Sequence, residues 1–165
     1  MCKIIWITGI SGTGKTTLAK HYMKFLKNFL WIDGDQFRKL FNDDLGYTLK
    51  DRNKNAERLI NFVYFLNKQK ISVIVSANLT AKKNKKRIKR KFKNIFHIQI
   101  NSDLKILKKR DKKNIYKKNK NVVGKDIKFY KSFNKYDFLI NNNNSKKEFI
   151  KRGNIILKKI KLAWA

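Results

Sequence analysis

Short apolar runs alternate along the chain with longer segments in which apolar residues recur every three or four positions. An uninterrupted apolar run is typical of a strand buried on both faces, and the longer repeat is typical of a helix with one buried side. The runs predict five strands, at Lys3–Thr8, Phe29–Asp33, Ile71–Ala77, Ile95–Ile100 and Phe138–Asn141. The repeats predict six helices, at Lys15–Lys27, Gln36–Asn42, Asp51–Lys68, Lys82–Phe92, Asp103–Lys118 and Lys146–Lys159. This alternation predicts an α/β fold, a three-layer sandwich in which helices cover both faces of a five-stranded parallel sheet.

The length and composition favour a single folded domain over residues 1–165. Hydrophobic residues make up 42% of the chain, which is too many for a disordered segment. One cysteine, Cys2, excludes an internal disulfide framework and suits a reducing cytoplasm. No apolar run approaches the roughly 18 residues that a membrane span needs, and the N-terminus has no signal-peptide layout. We therefore predict a cytoplasmic protein with no membrane partner.

The net charge of +31 points to anionic partners, either a nucleic acid or a polyanionic small substrate. The lysines, however, are scattered over every segment, and proline is absent while lysine, asparagine, isoleucine and phenylalanine are abundant. That composition is typical of drift toward an A/T-rich coding sequence, so a nucleic-acid partner is not favoured despite the charge. The nearly all-basic segment Lys82–Lys93 is interpreted as a solvated helix face, with an RNA- or phosphate-binding surface as the alternative.

The first predicted strand ends in a phosphate-binding motif. Residues Gly9 to Thr16 match G-x-x-x-x-G-K-[ST], in which backbone N–H groups curl around a phosphate. Lys15 supplies a positive charge for the β- and γ-phosphates, and the Thr16 hydroxyl is a candidate Mg²⁺ ligand. The next helix adds the positive end of its dipole. The motif predicts an ATP site made of Gly9, Ser11, Gly12, Thr13, Gly14, Lys15, Thr16 and Thr17.

The second predicted strand ends in two acids that flank a glycine, Asp33 and Asp35, followed by Arg38. One carboxylate can accept the proton of an attacking hydroxyl while the other orients the metal shell. An arginine at this spacing can hold a substrate phosphate in its bidentate fork. The alternative is a turn in which Asp35 is only the N-cap of a helix. Because the chain has only 11 acidic residues, their pairing at a strand end favours a function.

From residue 4 to about residue 68, the order and spacing of several motifs resemble the adenylyl-sulfate kinases. These motifs are Trp6–Gly9, Asp33–Asp35 with Arg38, Asp44–Tyr47, and Asp51-Arg52 with Asn55. A weaker resemblance to the mobile lid of that family covers about residues 108–130, in Arg110–Lys118 and Gly124–Asp126. The resemblance implies a phosphate-loop kinase with a lid, which uses ATP and Mg²⁺ to phosphorylate the ribose 3′-hydroxyl of a small nucleotide substrate.

Site roles follow from this resemblance residue by residue. It implies that Asp35 is the catalytic base, with Asp33 supporting the metal or its waters and Lys15 contacting the transferred group. It implies further that the substrate is bound by Arg38, Arg52 and Asn55 at its 5′-phospho-conjugate, by Tyr47 stacked on the base, and by Arg110, Lys117 and Lys118 of the lid near the phosphates.

Departures from the family pattern concern the base. The family has Phe-Ile-Ser-Pro where this chain has Asn78, Leu79, Thr80 and Ala81, so Asn78 is a candidate to hydrogen-bond a base edge or the ribose. Val122 stands where a lid phenylalanine closes on adenine, and Lys112 and Asn114 replace a proline and a glycine. Loss of one aromatic wall, worth about 1–3 kcal/mol per stacked base, favours a smaller pyrimidine. The pattern is similar to relatives that act on cytidine diphosphoramidate in capsule phosphoramidate biosynthesis.

Other functions remain open at this point. The charge leaves open a polynucleotide 5′-hydroxyl kinase or an RNA-binding protein. The altered lid leaves open a nucleotide-binding module without catalytic activity. A kinase for a sugar or a nucleoside monophosphate would share the phosphate loop but would leave Asp44–Tyr47 and Asp51–Asn55 unexplained. The tail Leu162–Ala165 is predicted either to pack on the domain or to form a homodimer contact.

Overall fold

A five-stranded, all-parallel sheet forms the centre of the computed structural model, which describes residues 2–42, 44–79, 81–111, 114–118, 120–127 and 137–165, apart from the side chains of residues 82, 85 and 118. The strands are β1 Ile4–Thr8, β2 Phe29–Asp33, β3 Ser72–Ser76, β4 Ile95–Asn101 and β5 Phe138–Asn141. Their order across the sheet is β2-β3-β1-β4-β5, and every pairing is parallel. All carboxyl ends therefore meet at one edge, as the alternating pattern predicted.

The helices are α1 Lys15–Met23, α2 Gly34–Lys39, α3 Leu49–Lys68, α4 Lys82–Lys91, α5 Leu104–Lys109, α6 Ile115–Lys118 and α7 Lys146–Ala163. The prediction of a single helix over Asp103–Lys118 is wrong, because α5 ends at Lys109 and a separate helix, α6, begins at Ile115. The Asp111 carboxylate accepts hydrogen bonds from the N–H groups of Ile115 and Tyr116, at 2.8 and 2.7 Å, and so starts α6 afresh. Asn114, with a φ of 53°, provides the left-handed step before it.

Two apolar cores lie on the opposite faces of the sheet, which confirms the three-layer sandwich. One joins the sheet to α3 and α4 through residues such as Trp6, Leu59 and Ile88. The other joins the sheet to α1 and α7 through residues such as Leu18 and Ile160. Burying each such aliphatic side chain contributes about 1.5–3 kcal/mol, so the layers are held mainly by these contacts.

The C-terminal tail packs on the domain in this structure. Helix α7 is longer than predicted and delivers Trp164 to Phe29 and Phe96, with ring centroids 5.9 and 5.3 Å apart. Lys3 lies over the same indole, 5.2 Å from its centroid. The homodimer remains a prediction. Among the described residues, no helix has the length and apolar character required to cross a bilayer.

A third and smaller apolar cluster lies outside both cores. It consists of Ile10, Leu107, Tyr116, Val122 and Val123, with Ile115 and Ile127 packed against it. We call it the lid cluster, because all its members except Ile10 and Leu107 come from the segment predicted to be the lid. Because Ile10 belongs to the phosphate loop, the lid cluster covers the carboxyl edge of the sheet.

Candidate active site

The phosphate loop connects β1 to α1 at the carboxyl edge of the sheet, and it forms one wall of a cavity of about 350 Å³. Gly14 is the N-cap of α1 and has a left-handed φ of 104°, a conformation in which side chains are strained. Behind it, the buried side chain of Asn142 donates a hydrogen bond to the Thr13 carbonyl at 2.8 Å. The loop is therefore fixed by its own backbone and by the segment after β5.

Lys15 begins α1 and reaches back across the loop, where its Nζ donates to the Ile10 carbonyl at 3.1 Å. Burial lowers the pKa of Lys15 below its ordinary value, while the nearby carboxylates of Asp35 and Asp33 oppose this shift. The ammonium is thus poorly solvated and sits beside a single neutral acceptor. A phosphate oxygen is a better partner for it than a carbonyl, because opposite charges attract strongly in a partly desolvated cleft.

Asp33 joins three elements at the floor of the cavity. Its Oδ1 accepts from the N–H groups of Asp35 and Gln36, so Asp33 is the N-cap of α2, and the alternative that Asp35 is the cap is wrong. Its Oδ2 accepts from the hydroxyls of Thr16, at 3.0 Å, and Ser76, at 2.9 Å. Gly34 between the acids is required by space, because a Cβ there would lie 2.7 Å from the Cβ of Ala77.

This arrangement fits a magnesium ion. The Thr16 hydroxyl donates a hydrogen bond to Asp33, so the lone pairs of its oxygen remain available to a cation. Both groups offer the hard oxygen ligands that Mg²⁺ prefers. Within the described part of the chain, no cluster of three or more His, Cys, Asp or Glu side chains is placed to hold a metal by itself. That agrees with Mg²⁺ bound by one or two protein groups together with nucleotide phosphates, as is usual for this ion.

Two arginines, from α2 and α3, also line the cavity. Arg38 of α2 is 5% exposed, and its Nη1 donates to the carbonyls of Leu45 and Gly46, at 3.3 and 2.6 Å. Arg52 of α3 donates from Nε to the Tyr47 carbonyl at 2.9 Å. Burial and then the charge of Arg38 lower the pKa of Arg52, which Asp35 opposes.

The loop that holds these arginines is itself attached to α3. Asp44 and Arg58 form a bidentate ion pair, with N–O distances of 2.7 and 2.6 Å, and this pair holds the pKa of Asp44 below its usual range. The Thr48 hydroxyl accepts from the Asp51 N–H and caps α3. The motif Asp44–Asp51 therefore builds a platform of carbonyls for two cations, which sequence spacing did not reveal.

Three buried polar atoms without a hydrogen-bond partner in the described part of the chain lie on this arginine side. Arg38 Nε, Asn55 Oδ1 and Asn78 Oδ1 are buried and have no hydrogen-bond partner among the described residues, and all three residues line the cavity. Leaving such an atom unpaired costs about 1–3 kcal/mol. Asp35 and Ala56 line the same region. The arrangement is that of a polar site completed by a ligand.

The lid contacts both walls of the cavity. From above the phosphate loop, the Tyr116 hydroxyl donates to the Ser11 carbonyl at 2.7 Å, and burial raises the pKa of Tyr116 to about 12. On the opposite side, Arg52 Nη2 donates to the Asn121 carbonyl at 2.9 Å. Arg110 lines the cavity, but its guanidinium is held by the carbonyls of Asn142 and Asn144.

Most of the residues predicted for the site meet in this cavity. Those that line it are Ser11, Gly12, Gly14, Lys15, Thr16, Thr17, Asp33, Asp35, Arg38, Arg52, Asn55 and Asn78. The remaining ones do not line it, and they are Gly9, Thr13, Tyr47, Leu79, Lys117 and Val122. Leu79 belongs to a sheet core, Val122 is 2% exposed within the lid cluster, and Lys117 is exposed. Lys112, which replaces a family proline, and the side chain of Lys118, predicted to lie near the phosphates, are outside the described residues.

Sequence reasoning missed several residues of the site. Ser76 orients Asp33, Asn142 holds the phosphate loop, and Tyr116 joins the loop to the lid. One sequence signal is common to Ser76 and Asn142, because each is a polar residue close to the carboxyl end of a predicted strand.

The architecture defines the class of this protein: it is a phosphotransferase of the phosphate-loop kinase fold, with a loop after β1, two acids after β2 and a lid over the sheet edge. The family model of adenylylsulphate kinase matches residues 1–137. The chain therefore belongs to the adenylyl-sulfate kinase family, as the resemblance implied.

Individual relatives are named for two different substrates. The chain is 34% identical over 168 residues to the cytidine diphosphoramidate kinase of Campylobacter jejuni, and the match covers 96% of each chain. It is also 34% identical over 125 residues to the adenylyl-sulfate kinase of Bacillus pumilus, covering 72% of this chain and 63% of that one. The solved structure of the Mycobacterium tuberculosis APS kinase with AMPPNP and APS matches with a TM-score of 0.83, over 95% of this chain and 96% of that chain. At 22% identity, this last match supports the fold alone.

Proposed function

We propose that this protein transfers the γ-phosphoryl group of ATP to the ribose 3′-hydroxyl of a nucleoside 5′-phospho-conjugate, and that cytidine diphosphoramidate is its preferred acceptor. The observation that carries the reaction is that Asp35, Arg38 and Arg52 line the same cavity as the phosphate loop. A donor wall rich in backbone N–H groups and an acceptor wall with a carboxylate and two cations match the two halves of a phosphoryl transfer.

The phosphate loop binds the β- and γ-phosphates, and Lys15 moves from the Ile10 carbonyl to a phosphate oxygen. Thr16, oriented by Asp33, would hold Mg²⁺, which would supply positive charge against the phosphates. Asp35 accepts the proton of the ribose hydroxyl as the oxygen–phosphorus bond forms and the bond from the γ-phosphorus to the bridging oxygen breaks. ADP leaves with that electron pair, and Lys15 stabilises the charge that develops on it.

The acceptor is bound through its anionic 5′ end. Arg38 and Arg52 are positioned for the phosphate charge, and Asn55, one helical turn after Arg52, adds an amide. The conjugate thus lies along α2 and α3, with its ribose toward Asp35. An amino-bearing base near Asn78 would give that unpaired carbonyl oxygen the donor it lacks among the described residues.

Two observations favour the cytidine conjugate. The relative that acts on cytidine diphosphoramidate is matched over 96% of its own length, whereas the Bacillus adenylyl-sulfate kinase is matched over 63%. Val122 and Val123, in the part of the lid where the family closes an aromatic ring on adenine, are aliphatic and belong to the lid cluster. Adenylyl sulfate is the second candidate, because the family model covers most of the chain.

The test is an ADP-release assay in which wild-type protein receives cytidine diphosphoramidate or adenosine 5′-phosphosulfate as acceptor. We expect kcat/KM to be at least tenfold higher for the cytidine compound, and the product to carry the new phosphate on the 3′-oxygen by phosphorus NMR. A preference for the sulfate would replace the acceptor, and absence of turnover with both would refute the proposed reaction. Lys15→Ala protein prepared in parallel controls for contaminating kinases.

A further inference from the structure

Helix α4 carries a concentration of positive charge that the proposed reaction does not use. Every residue of α4 except Asn84 and Ile88 is lysine or arginine, and no acidic residue occurs between Glu57 and Asp103. Drift toward A/T-rich codons acts on the whole chain, so it explains scattered lysines but not one helix made almost wholly of cations. Of the described residues that line the cavity, none belongs to α4, so this charge lies outside the candidate active site.

The contacts between α4 and α3 determine which of these cations face solvent. Arg87 and Lys91 both donate to Oδ1 of Asn61 on α3, at 3.2 Å, and are thereby held against that helix. Lys83 is paired with the carboxylate of Glu57 at 2.8 Å. The other exposed cations of this surface are Lys86, Lys89, Arg90 and, just after the helix, Lys93. They form a positive surface in a stretch of sequence that supplies no carboxylate to neutralise it.

An aromatic side chain accompanies this positive surface. Phe65 of α3 is 55% exposed, and it follows Asn61, the residue that accepts from α4, by one helical turn on the same side of α3. The preceding residue, Tyr64, contacts the end of α4, because Lys91 Nζ lies 4.5 Å from the centroid of its ring. Cations that track a phosphate backbone, with an exposed ring on which a base can stack, are the combination used by single-strand binders.

We propose that α4 and Phe65 form a binding surface for single-stranded nucleic acid. The exposed cations of α4 contact the phosphates, and the ring of Phe65 stacks on one base. This proposal takes the place of the interpretation of α4 as a solvated helix face. It goes beyond the proposed phosphoryl transfer and does not rest on the identity of the acceptor, because neither α4 nor Phe65 is among the described residues that line the cavity.

Other anionic or self-associating partners fit this surface less well. The apolar residues Ile88 and Phe92, 4% and 3% exposed, are packed in a sheet core, so α4 has no apolar side with which to enter a bilayer. The same face of a second copy would bring a like charge against this one. A duplex offers its phosphates but keeps its bases stacked on each other, and it would leave the ring of Phe65 unused.

The experiment measures the fluorescence anisotropy of a labelled oligothymidylate of about 12 nucleotides, with AMPPNP saturating the phosphate loop. One variant neutralises the exposed cations of α4 by Lys86→Gln, Lys89→Gln, Arg90→Gln and Lys93→Gln. Its control has the same net charge and neutralises exposed lysines of α7, which packs on the other face of the sheet, by Lys147→Gln, Lys151→Gln, Lys158→Gln and Lys159→Gln. We expect the α4 variant to bind at least about tenfold more weakly and with a smaller salt dependence, and the α7 variant to stay within about threefold of wild type.

Phe65→Leu tests the stacking, because leucine keeps an apolar side chain and removes the ring. We expect roughly tenfold weaker binding of oligothymidylate and no change for an abasic strand with the same number of phosphates. Phe25→Leu is the matched control, since Phe25 is a ring of similar exposure, 50%, on the α1 side of the sheet, and it should change neither affinity. AMPPNP affinity and the thermal unfolding midpoint should equal those of wild type in every variant, which separates loss of binding from loss of structure.

Several results would overturn the inference. Equal weakening by the α4 and α7 substitutions would show that binding follows net charge alone. Equal affinity of wild-type protein for oligothymidylate and the abasic strand would show that no base is held. Tighter binding of a duplex of the same length would exclude a single-strand site, and so would the absence of binding at about 50 mM salt. If vesicles of phosphatidylserine and phosphatidylcholine bind and only their binding responds to the α4 substitutions, the surface belongs to a membrane. None of these measurements uses an acceptor, so failure of the proposed function would leave their outcome unchanged.

Discussion

Two walls of the cavity differ in what they present to a ligand, because one consists mainly of backbone groups and the other mainly of side chains. The phosphate-loop wall is mostly backbone, with N–H groups shaped by glycines and a helix N-terminus, and a single lysine. The opposite wall consists of side chains from α2, α3 and the end of β3, among them Arg38, Asn55 and Asn78 with unpaired polar atoms. Backbone geometry survives most substitutions, whereas a wall of side chains changes with each one.

This difference gives a physical reason why kinases of one family can share a reaction and differ in the acceptor they phosphorylate. A wall of backbone groups recognises phosphates in any nucleoside triphosphate. A wall of side chains can be adapted to a new base or conjugate by single substitutions, although Asp33 joins Thr16 to α2 and so links the two walls. Substitutions in the two walls should therefore have separable effects, and the following measurements test that separation.

The largest effect is expected at Lys15, because it serves the transferred group directly. Lys15→Ala should lower kcat/KM more than about 10³-fold with either acceptor. Steady-state ADP release checks this, with Lys20→Ala, an exposed lysine on the same helix, as the control that should retain activity. Loss of less than tenfold in Lys15→Ala would contradict its role.

Asp35 should separate chemistry from ATP binding. Asp35→Asn keeps the shape and removes the base, so kcat should fall by about 10²–10³-fold while AMPPNP affinity stays nearly unchanged. Asp33→Asn should differ, since Asp33 caps α2 and holds Thr16, and we expect it to weaken nucleotide binding in the presence of Mg²⁺ as well. An Asp35→Asn enzyme with near-normal kcat would exclude Asp35 as the base.

Two asparagines allow one substitution in each wall. Asn78→Ala should raise KM for the acceptor about fivefold, a typical loss for one hydrogen bond, without changing KM for ATP. Asn142→Ala removes the hydrogen bond to the Thr13 carbonyl and should raise KM for ATP instead. Initial rates with each substrate varied in turn check both expectations. Equal effects of either substitution on both KM values would show that the walls are not independent.

The smallest expected effect concerns protons. Because burial lowers the pKa of Lys15, this ammonium loses its proton at a lower pH than an ordinary lysine, and phosphate binding should restore it. AMPPNP binding should therefore take up protons once the pH is high enough to deprotonate Lys15 in the free protein, and its affinity should fall as the pH rises further. Calorimetry in two buffers of different ionisation enthalpy measures the uptake. In Lys15→Arg, whose guanidinium stays protonated, the uptake should disappear.

Sequence reasoning located the phosphate-loop wall well because its residues are contiguous, from Gly9 to Thr17. It found Arg38 from its spacing after Asp35, and it found Arg52 and Asn55 through the family resemblance. It missed Ser76 and Asn142, because their roles depend on which strands become neighbours, and the order β2-β3-β1-β4-β5 is not written in local spacing. The break before α6 was missed for a different and local reason, because Asp111 caps a new helix within a segment whose apolar pattern is otherwise helical.

The lid cluster has a consequence for local stability. It is separate from both sheet cores, and polar bonds from Tyr116 and Arg52 tie its segment to the two cavity walls. Opening this segment therefore leaves both cores intact and costs less free energy than global unfolding. Amide hydrogens of residues 115–117 and 122–127 should exchange with deuterium by such sub-global opening, long before those of β1 and β3, and bound nucleotide should slow them selectively.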